Sequence, residues 1–350
     1  VCSALAVLLL YRLALRWHGG RVALVAALVL AFSPVSIIYG QGFMLEPSIV
    51  CLTLTALLAF DTWLERRSAW LWPIWVVALA ALFLTKIYML VLLLPLAAMA
   101  WRQRSVSARR LPWLASGIGT LLAVAPALCW CAYVMMISDS AHLRSGSVHY
   151  SLAHSAAANG WPHPLLADPT YYAQVFTSLA TVVLTPLPLL LFVIAFRHPA
   201  WRRHAPWLAS MAFLVVALPR KFDELNYYYL VAVPPLAIMV GLGYEWCIER
   251  LRPRHAWIGL AVAATLLCSL RYTIRPAFVT PAEDRAVVAA AEAVREMTSP
   301  RDQVVTMHGS TVDLLYYCDR RGWAVSPYHH DLSQKLLECQ REGAQLMVVA

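Results

Sequence analysis

Charge is the scarce ingredient of this 350-residue chain. Only 13 % of its residues are Asp, Glu, Lys or Arg, 61 % are hydrophobic, and mean hydropathy is +0.62. A soluble domain carries about 25 % charged residues, so a water-soluble globular protein is excluded. Acids are scarcer than bases, 19 against 28, which leaves a net charge of +9. That excess does not imply nucleic acid, because the bases lie in short clusters between apolar runs and no basic face is interleaved with aromatics. A Gly-rich phosphate loop and a nucleophile elbow are both missing, so ATP-driven transport and serine hydrolysis have no local support. Of the eight cysteines, Cys129 and Cys131 are two apart, which is not a zinc spacing. An initiator methionine is lacking too. Val1 sits inside an apolar run and the chain closes on LMVVA, so the expectation is a fragment missing both ends.

Long apolar runs are what the chain has. A bilayer is crossed by about 20 apolar residues, and runs of that order cover 1–15, 22–39, 44–60, 70–100, 112–137, 171–196, 206–218, 227–247 and 256–270. This predicts an all-α polytopic membrane protein. The 70–100 run is too long for one helix and should part at Thr85–Lys86, as two spans or as a span and a re-entrant piece. Pro186 and Pro188 predict kinks in the 171–196 run.

The turns alternate in charge. Those near 12–21, 66–67, 102–110, 197–203 and 250–254 hold fifteen Lys or Arg, and the intervening ones hold four. The richer side is cytoplasmic. The other side then receives Glu46, Lys86, a loop with His142, His149, His154 and His163, the 219–226 loop, and everything after Leu270. The sparse polar groups therefore fall on one face. The histidine spacings match no ligand pair on a helix and read as solvated loop residues.

The texture changes after residue 272. Residues 281–298 read as an amphipathic helix, 303–307 as a strand, 332–341 as a second helix and 345–349 as a second strand. The expected organisation is a transmembrane domain over 1–272 and a small α/β domain over 273–350 on the non-cytoplasmic side. An oxidising compartment there could pair Cys318 with Cys339.

Three places can carry chemistry. Glu46 lies between two apolar runs and precedes Pro47; it either caps a helix in interfacial water or lies at the mouth of a membrane-embedded site. Lys86 either snorkels to the interface or faces a wet cavity and binds an anion. Arg220 and Lys221 precede Tyr227, Tyr228 and Tyr229; they form either an ordinary interfacial loop with an aromatic belt or a phosphate clamp with rings for a sugar or lipid.

Several stretches carry a resemblance. SPVSIIYGQGFMLEP (33–47), FLTKIYMLVLLLP (83–95), ELNYYYLVAVPPLAIMVGLG (224–243) and LLYYCDRRGW (314–323) resemble, in that order, segments of the C-type (GT-C) membrane glycosyltransferases of family 39, the protein-mannosyltransferase-like and aminoarabinose-transferase-like group. The resemblance implies a GT-C-like helical bundle in a bacterial-type inner membrane, with the α/β domain extracytoplasmic. It implies transfer of a sugar, with inversion, from a polyprenyl-phosphate donor to a lipid, glycan or protein acceptor of the cell envelope. Lys86, with Arg220 and Lys221, would hold the donor phosphate, and Tyr227 and Tyr228 would touch sugar or lipid. Glu46 would help position the acceptor or a divalent metal. The family's general base lies in an external loop upstream of Val1. A transporter or flippase of lipid-linked sugars is the alternative, and a membrane scaffold with a partner-binding outer domain is a third reading. The transporter predicts polar residues near the midplane of repeated halves, and no internal repeat is seen.

Overall fold

A computed structural model describes residues 1–41, 44–104, 111–137, 163–250, 255–279, 282–308, 312–327 and 331–349. The loop that carries His142, His149 and His154, and residues 105–110 and 251–254, lie outside the described residues. The chain divides into two compact units, Val1–Pro276 and Ala277–Ala350.

The first unit is a bundle of apolar helices. Among the described residues, Glu46–Arg66, Trp113–Val134 and Asn226–Arg250 are long and apolar enough to cross a bilayer. Together with their apolar neighbours they mark an integral membrane protein. Asn226–Arg250 is the central span, buried over most of its length. Two glycines let it sit close to its neighbours. A Cβ at Gly241 would stand 2.8 Å from the Val22 carbonyl oxygen, and one at Gly243 would collide with the Leu191 carbonyl.

Several runs that read as single spans are broken. The 70–100 run does part where expected. Leu71–Thr85 ends, Lys86 is extended (φ −149°, ψ 106°), and a 3₁₀ turn over Ile87–Leu92 leads into Leu93–Arg104. The 22–39 run was expected to be one span, yet Gly20–Phe32 and Pro34–Gly40 meet at 53°. Pro34 has no N–H to continue the ladder and starts a new helix. The 171–196 run bends far more than a proline kink, by 109° between Pro169–Val183 and Pro186–Ala195. Thr185 between them has φ +68°, a conformation that β-branched residues rarely adopt.

A broken helix in hydrocarbon frees backbone groups that must find partners. Here one break satisfies another. Ser33, at the first break, donates its hydroxyl to the Val183 carbonyl at the second, 2.6 Å away in the buried interior.

The end of the unit opposite Glu46 carries a charge network. The Arg16 guanidinium donates to Asp61 (3.1 Å) and to Glu65 (2.6 Å). Arg203 approaches the other Asp61 oxygen at 3.6 Å and covers the Trp17 ring at 4.8 Å. His18 and His204 share a hydrogen bond, Nε2 to Nε2, of 2.7 Å. The bases read as orientation signals from sequence thus also tie three distant helices together.

In the second unit, strands β1 (Gln303–Met307), β2 (Arg321–Ala324) and β3 (Ala344–Val349) form a parallel sheet of order β2-β1-β3. Side chains of β1 alternate between faces. Val304 packs with Val287, Ala291 and Val294 of the Ala282–Met297 helix, and Val305 and Met307 pack with Val325 and Cys339. Cys318 belongs to the first cluster and Cys339 to the second, and both are free thiols. The sheet separates them, so they do not pair.

Candidate active site

Glu46 is the first residue of the Glu46–Arg66 helix, with Pro47 in its first turn. A carboxylate at this position is favoured by the partial positive charge of a helix N-terminus. Its side chain is only 4 % exposed. A buried carboxylate needs a partner, and it receives one from forty residues further on. The break at Lys86 turns that side chain out of its helix, and Nζ lies 3.8 Å from Glu46 Oε1. The same ammonium sits 5.7 Å over the Tyr228 ring. Lys86 keeps 27 % of its side chain exposed, so it is neither sealed in the core nor snorkelled into bulk water. An N⁺–H···O⁻ hydrogen bond is about 2.7–2.9 Å long. At 3.8 Å the pair is looser, and the ammonium retains donors for a third group.

The 3₁₀ segment Asn226–Ala232 supplies an aromatic wall. Tyr227 and Tyr228 stack at 4.9 Å, Tyr39 meets Tyr227 edge-on at 5.8 Å, and Tyr88 lies against Tyr228 at 5.6 Å. Phe222 closes the row, 6.0 Å from Tyr228 and 5.0 Å from Tyr229. The Tyr229 hydroxyl donates back to the Phe222 carbonyl at 3.2 Å, which pins the 219–224 turn onto this segment.

The structure therefore brings Glu46, Lys86 and Tyr228 together, with Tyr227 behind. Lys221 lies within electrostatic reach of Lys86; burial first, then Arg220 and Lys86, hold its ammonium below the usual lysine range against the pull of Glu224. Arg220 is placed apart from this group. It donates to Glu224 at 2.7 Å across one helical turn, with 61 % of its side chain exposed. His163, at the end of the histidine loop, accepts from the Leu165 backbone N–H and acts as a local cap.

Three members of the wall were not found from sequence: Tyr39, Tyr88 and Phe222. Tyr88 did carry a signal, an aromatic residue two positions after an intramembrane cation. Tyr39 and Phe222 carried none beyond their type.

Behind Pro47 opens an apolar cavity of about 240 Å³, lined by Ala6, Val7, Leu30, Ser36, Val50 and Leu230 among others. Its walls come from the helices Cys2–His18, Gly20–Phe32, Pro34–Gly40 and Glu46–Arg66, with Leu230 of the 3₁₀ segment. Among the described residues no three His, Cys, Asp or Glu converge. Glu46 is engaged by an ammonium. This donor set does not fit a divalent cation, which takes several oxygen or nitrogen ligands at once.

Comparison with known proteins gives two findings. Residues 1–130 match the model of the family described as dolichyl-phosphate-mannose-protein mannosyltransferase. The chain is also similar in structure to an oligosaccharyltransferase of Archaeoglobus fulgidus crystallised with Zn and sulfate, at 15 % identity and a TM-score of 0.50, over 94 % of this chain and 50 % of that one. The apo form of that enzyme aligns at 14 % identity with a TM-score of 0.46, over 94 % and 53 %. The chain thus spans about half the length of the enzyme it resembles. No protein of curated function matches it. The chain shares the fold of that enzyme, a bundle of apolar helices, with a small three-stranded sheet at the C-terminal end among the described residues.

Proposed function

We propose, from the GT-C fold and the family match over the first 130 residues, that this chain is part of a membrane glycosyltransferase which moves a sugar from a polyprenyl-phosphate donor to an extracytoplasmic acceptor. The acceptor is a lipid, a glycan or a protein, and the membrane is a bacterial-type inner membrane with the 273–350 domain outside. The observation that carries the reading is the Glu46–Lys86 pair, held at 3.8 Å beside a row of tyrosines where helices break.

The chemistry follows from that geometry. Sugar transfer from a phosphate carrier needs a cation where charge develops on the leaving phosphate. Lys86 supplies one with donors to spare, and Lys221 adds positive potential nearby. Arg220 reaches the phosphate only by leaving Glu224. Glu46 orients Lys86 and faces the acceptor side. The acceptor hydroxyl must lose a proton to a general base. Isoprene units of the carrier fit the apolar cavity behind Pro47, gaining about 0.8 kcal/mol per buried CH₂. Tyr227 and Tyr228 present faces to sugar or lipid. No step is routed through a metal.

Reconstitution tests the reading. The full-length protein in proteoliposomes is given radiolabelled polyprenyl-phosphate sugars and a membrane extract, beside Lys86→Ala and Glu46→Gln. Label should move to an acceptor with the wild type and fail to do so with both variants at equal protein level. Label that crosses the bilayer still on its carrier would favour a flippase. Transfer untouched by both substitutions would keep the enzyme and discard the site.

A further inference from the structure

The end of the membrane unit away from Glu46 brings two like charges onto one ring. Trp246 is half-buried in the last turns of the Val233–Arg250 helix. The Arg250 guanidinium lies 4.7 Å from its ring centroid and the Arg197 guanidinium 5.6 Å from it. Arg197 arrives from elsewhere in the chain, just beyond Pro186–Ala195, a helix that packs along Val233–Arg250. Other arginines at this end have acceptors. Arg16 donates to Asp61 and Glu65, Arg203 approaches Asp61, and Arg102 donates to the Arg202 and Arg203 carbonyls. Arg197 and Arg250 have the shared indole instead. Both are exposed, and neither makes an ion pair among the described residues, although Glu245 and Glu249 lie on the Trp246 helix. An indole face attracts a guanidinium but carries no net charge, so the repulsion between the two is left uncompensated. Orientation of the helices explains why bases gather at this end; it does not explain why two of them meet on one ring.

The surface that leads to them is apolar. Leu190 and Val193 are 53 % and 57 % exposed. Val193 lies one turn before Arg197 and Leu190 one turn before Val193, so an open apolar stripe runs along Pro186–Ala195 and ends at a guanidinium. A soluble anion would match the guanidiniums and leave that stripe bare. A zwitterionic lipid would cover the stripe but brings its own cation to the arginines. A lipid with an anionic headgroup matches both, because its phosphate accepts from the planar guanidinium forks while its acyl chains cover Leu190 and Val193. Glu249, on the same turn, is one acid against two arginines and leaves the place positive. We propose that Arg197, Arg250 and Trp246 form a binding site for the phosphate of an anionic phospholipid. The site faces the bilayer at the opposite end of the unit from Glu46 and Lys86, and it does not depend on the transferase reading.

The test titrates the full-length protein in detergent with phosphatidylglycerol and with phosphatidylcholine of the same acyl chains, and counts bound lipids by native mass spectrometry. The wild type should bind its first phosphatidylglycerol about tenfold more tightly than phosphatidylcholine. Arg197→Gln with Arg250→Gln should lose about tenfold in affinity for phosphatidylglycerol and none for phosphatidylcholine. Arg66→Gln with Arg202→Gln removes the same charge from two other exposed arginines of this end and should lose less than about threefold. Arg197→Lys with Arg250→Lys keeps the charge without the fork and should fall between wild type and the Gln pair; it carries the test if the Gln pair does not fold. Glycerol phosphate at millimolar concentration should not displace the lipid. Equal losses in the two Gln pairs, a Lys pair that binds as tightly as the wild type, a wild type without preference for phosphatidylglycerol, or displacement by glycerol phosphate overturns the proposal.

Discussion

Removing both members of the Glu46–Lys86 pair should cost less than the sum of removing each alone. At 3.8 Å and an effective dielectric near 20, the gross attraction is about 4 kcal/mol. Desolvation of the two ions offsets much of it, but a lone survivor meets that penalty uncompensated. Breaking a fully buried pair costs about 3–5 kcal/mol. Lys86 keeps 27 % of its surface, so Glu46→Gln should cost about 1–3 kcal/mol. Lys86→Met strands a carboxylate that is only 4 % exposed and should cost more, about 2–4 kcal/mol. The double variant should be less destabilised than the sum of the singles by about 1.5–3 kcal/mol. Unfolding free energies of the four proteins in one detergent or nanodisc supply the cycle. Additivity within about 0.5 kcal/mol would refute the coupling. The same four proteins separate stability from function: the double variant should recover its fold and not its turnover.

Other consequences can be checked alongside. Burial, with Arg203 and His198, pushes His18 down to about 4, and burial, then His18, Arg203 and Arg102, holds His204 well below its ordinary value. Above about pH 6.5 both are neutral folded or unfolded; below it the unfolded chain takes protons the folded one refuses. Stability should therefore fall from about pH 6.5 toward 4, by up to about 1.4 kcal/mol per pH unit per histidine, and His204→Gln should flatten the curve. A midpoint constant between pH 7.5 and 5 would contradict this. Gly243→Ala forces a Cβ into the Leu191 carbonyl and should cost about 2 kcal/mol or more by overpacking. Gly259→Ala, with open space around it, should be neutral or stabilising by about 0.5–1 kcal/mol; equal behaviour of the two would count against the helix packing. Ser33→Ala orphans the Val183 carbonyl and should cost about 1–3 kcal/mol in thermal unfolding. Both Cys318 and Cys339 should react with maleimide only after denaturation, without reductant; a species that needs reductant first would contradict their separation by the sheet.

Much of the fold was legible because bilayer physics writes it in one dimension. Apolar length and the Lys/Arg alternation located the helices, and a lysine inside an apolar run located the break at residue 86. The breaks at Ser33 and Thr185 were not legible as such, since Ser-Pro and Thr-Pro pairs also occur in gently kinked helices. The two meet in the Ser33–Val183 contact across 150 residues, which no local pattern encodes. The site was half legible. Glu46 and Lys86 stood out separately as ionisable groups in apolar surroundings, but their pairing is tertiary. The pairing of Arg220 with Glu224, one helical turn on, was not read from sequence, because the charged 219–226 stretch was read as a loop and only a helical turn brings the two together. Tyr39 and Phe222 were hidden by chemistry, because aromatics at a membrane interface are ordinary. The Asp61 network was hidden for a similar reason: its arginines were already accounted for by orientation.

In the proposed reaction Lys86 holds the phosphate of a polyprenyl carrier. Equilibrium binding of polyprenyl monophosphate to the full-length protein in nanodiscs tests it most directly, with wild type, Lys86→Arg and Lys86→Met compared at one ionic strength. Lys86→Met should lose about tenfold or more in affinity, the worth of a charge-assisted hydrogen bond, and Lys86→Arg, which keeps the charge, should lose part of it. Equal affinity in all three would contradict it.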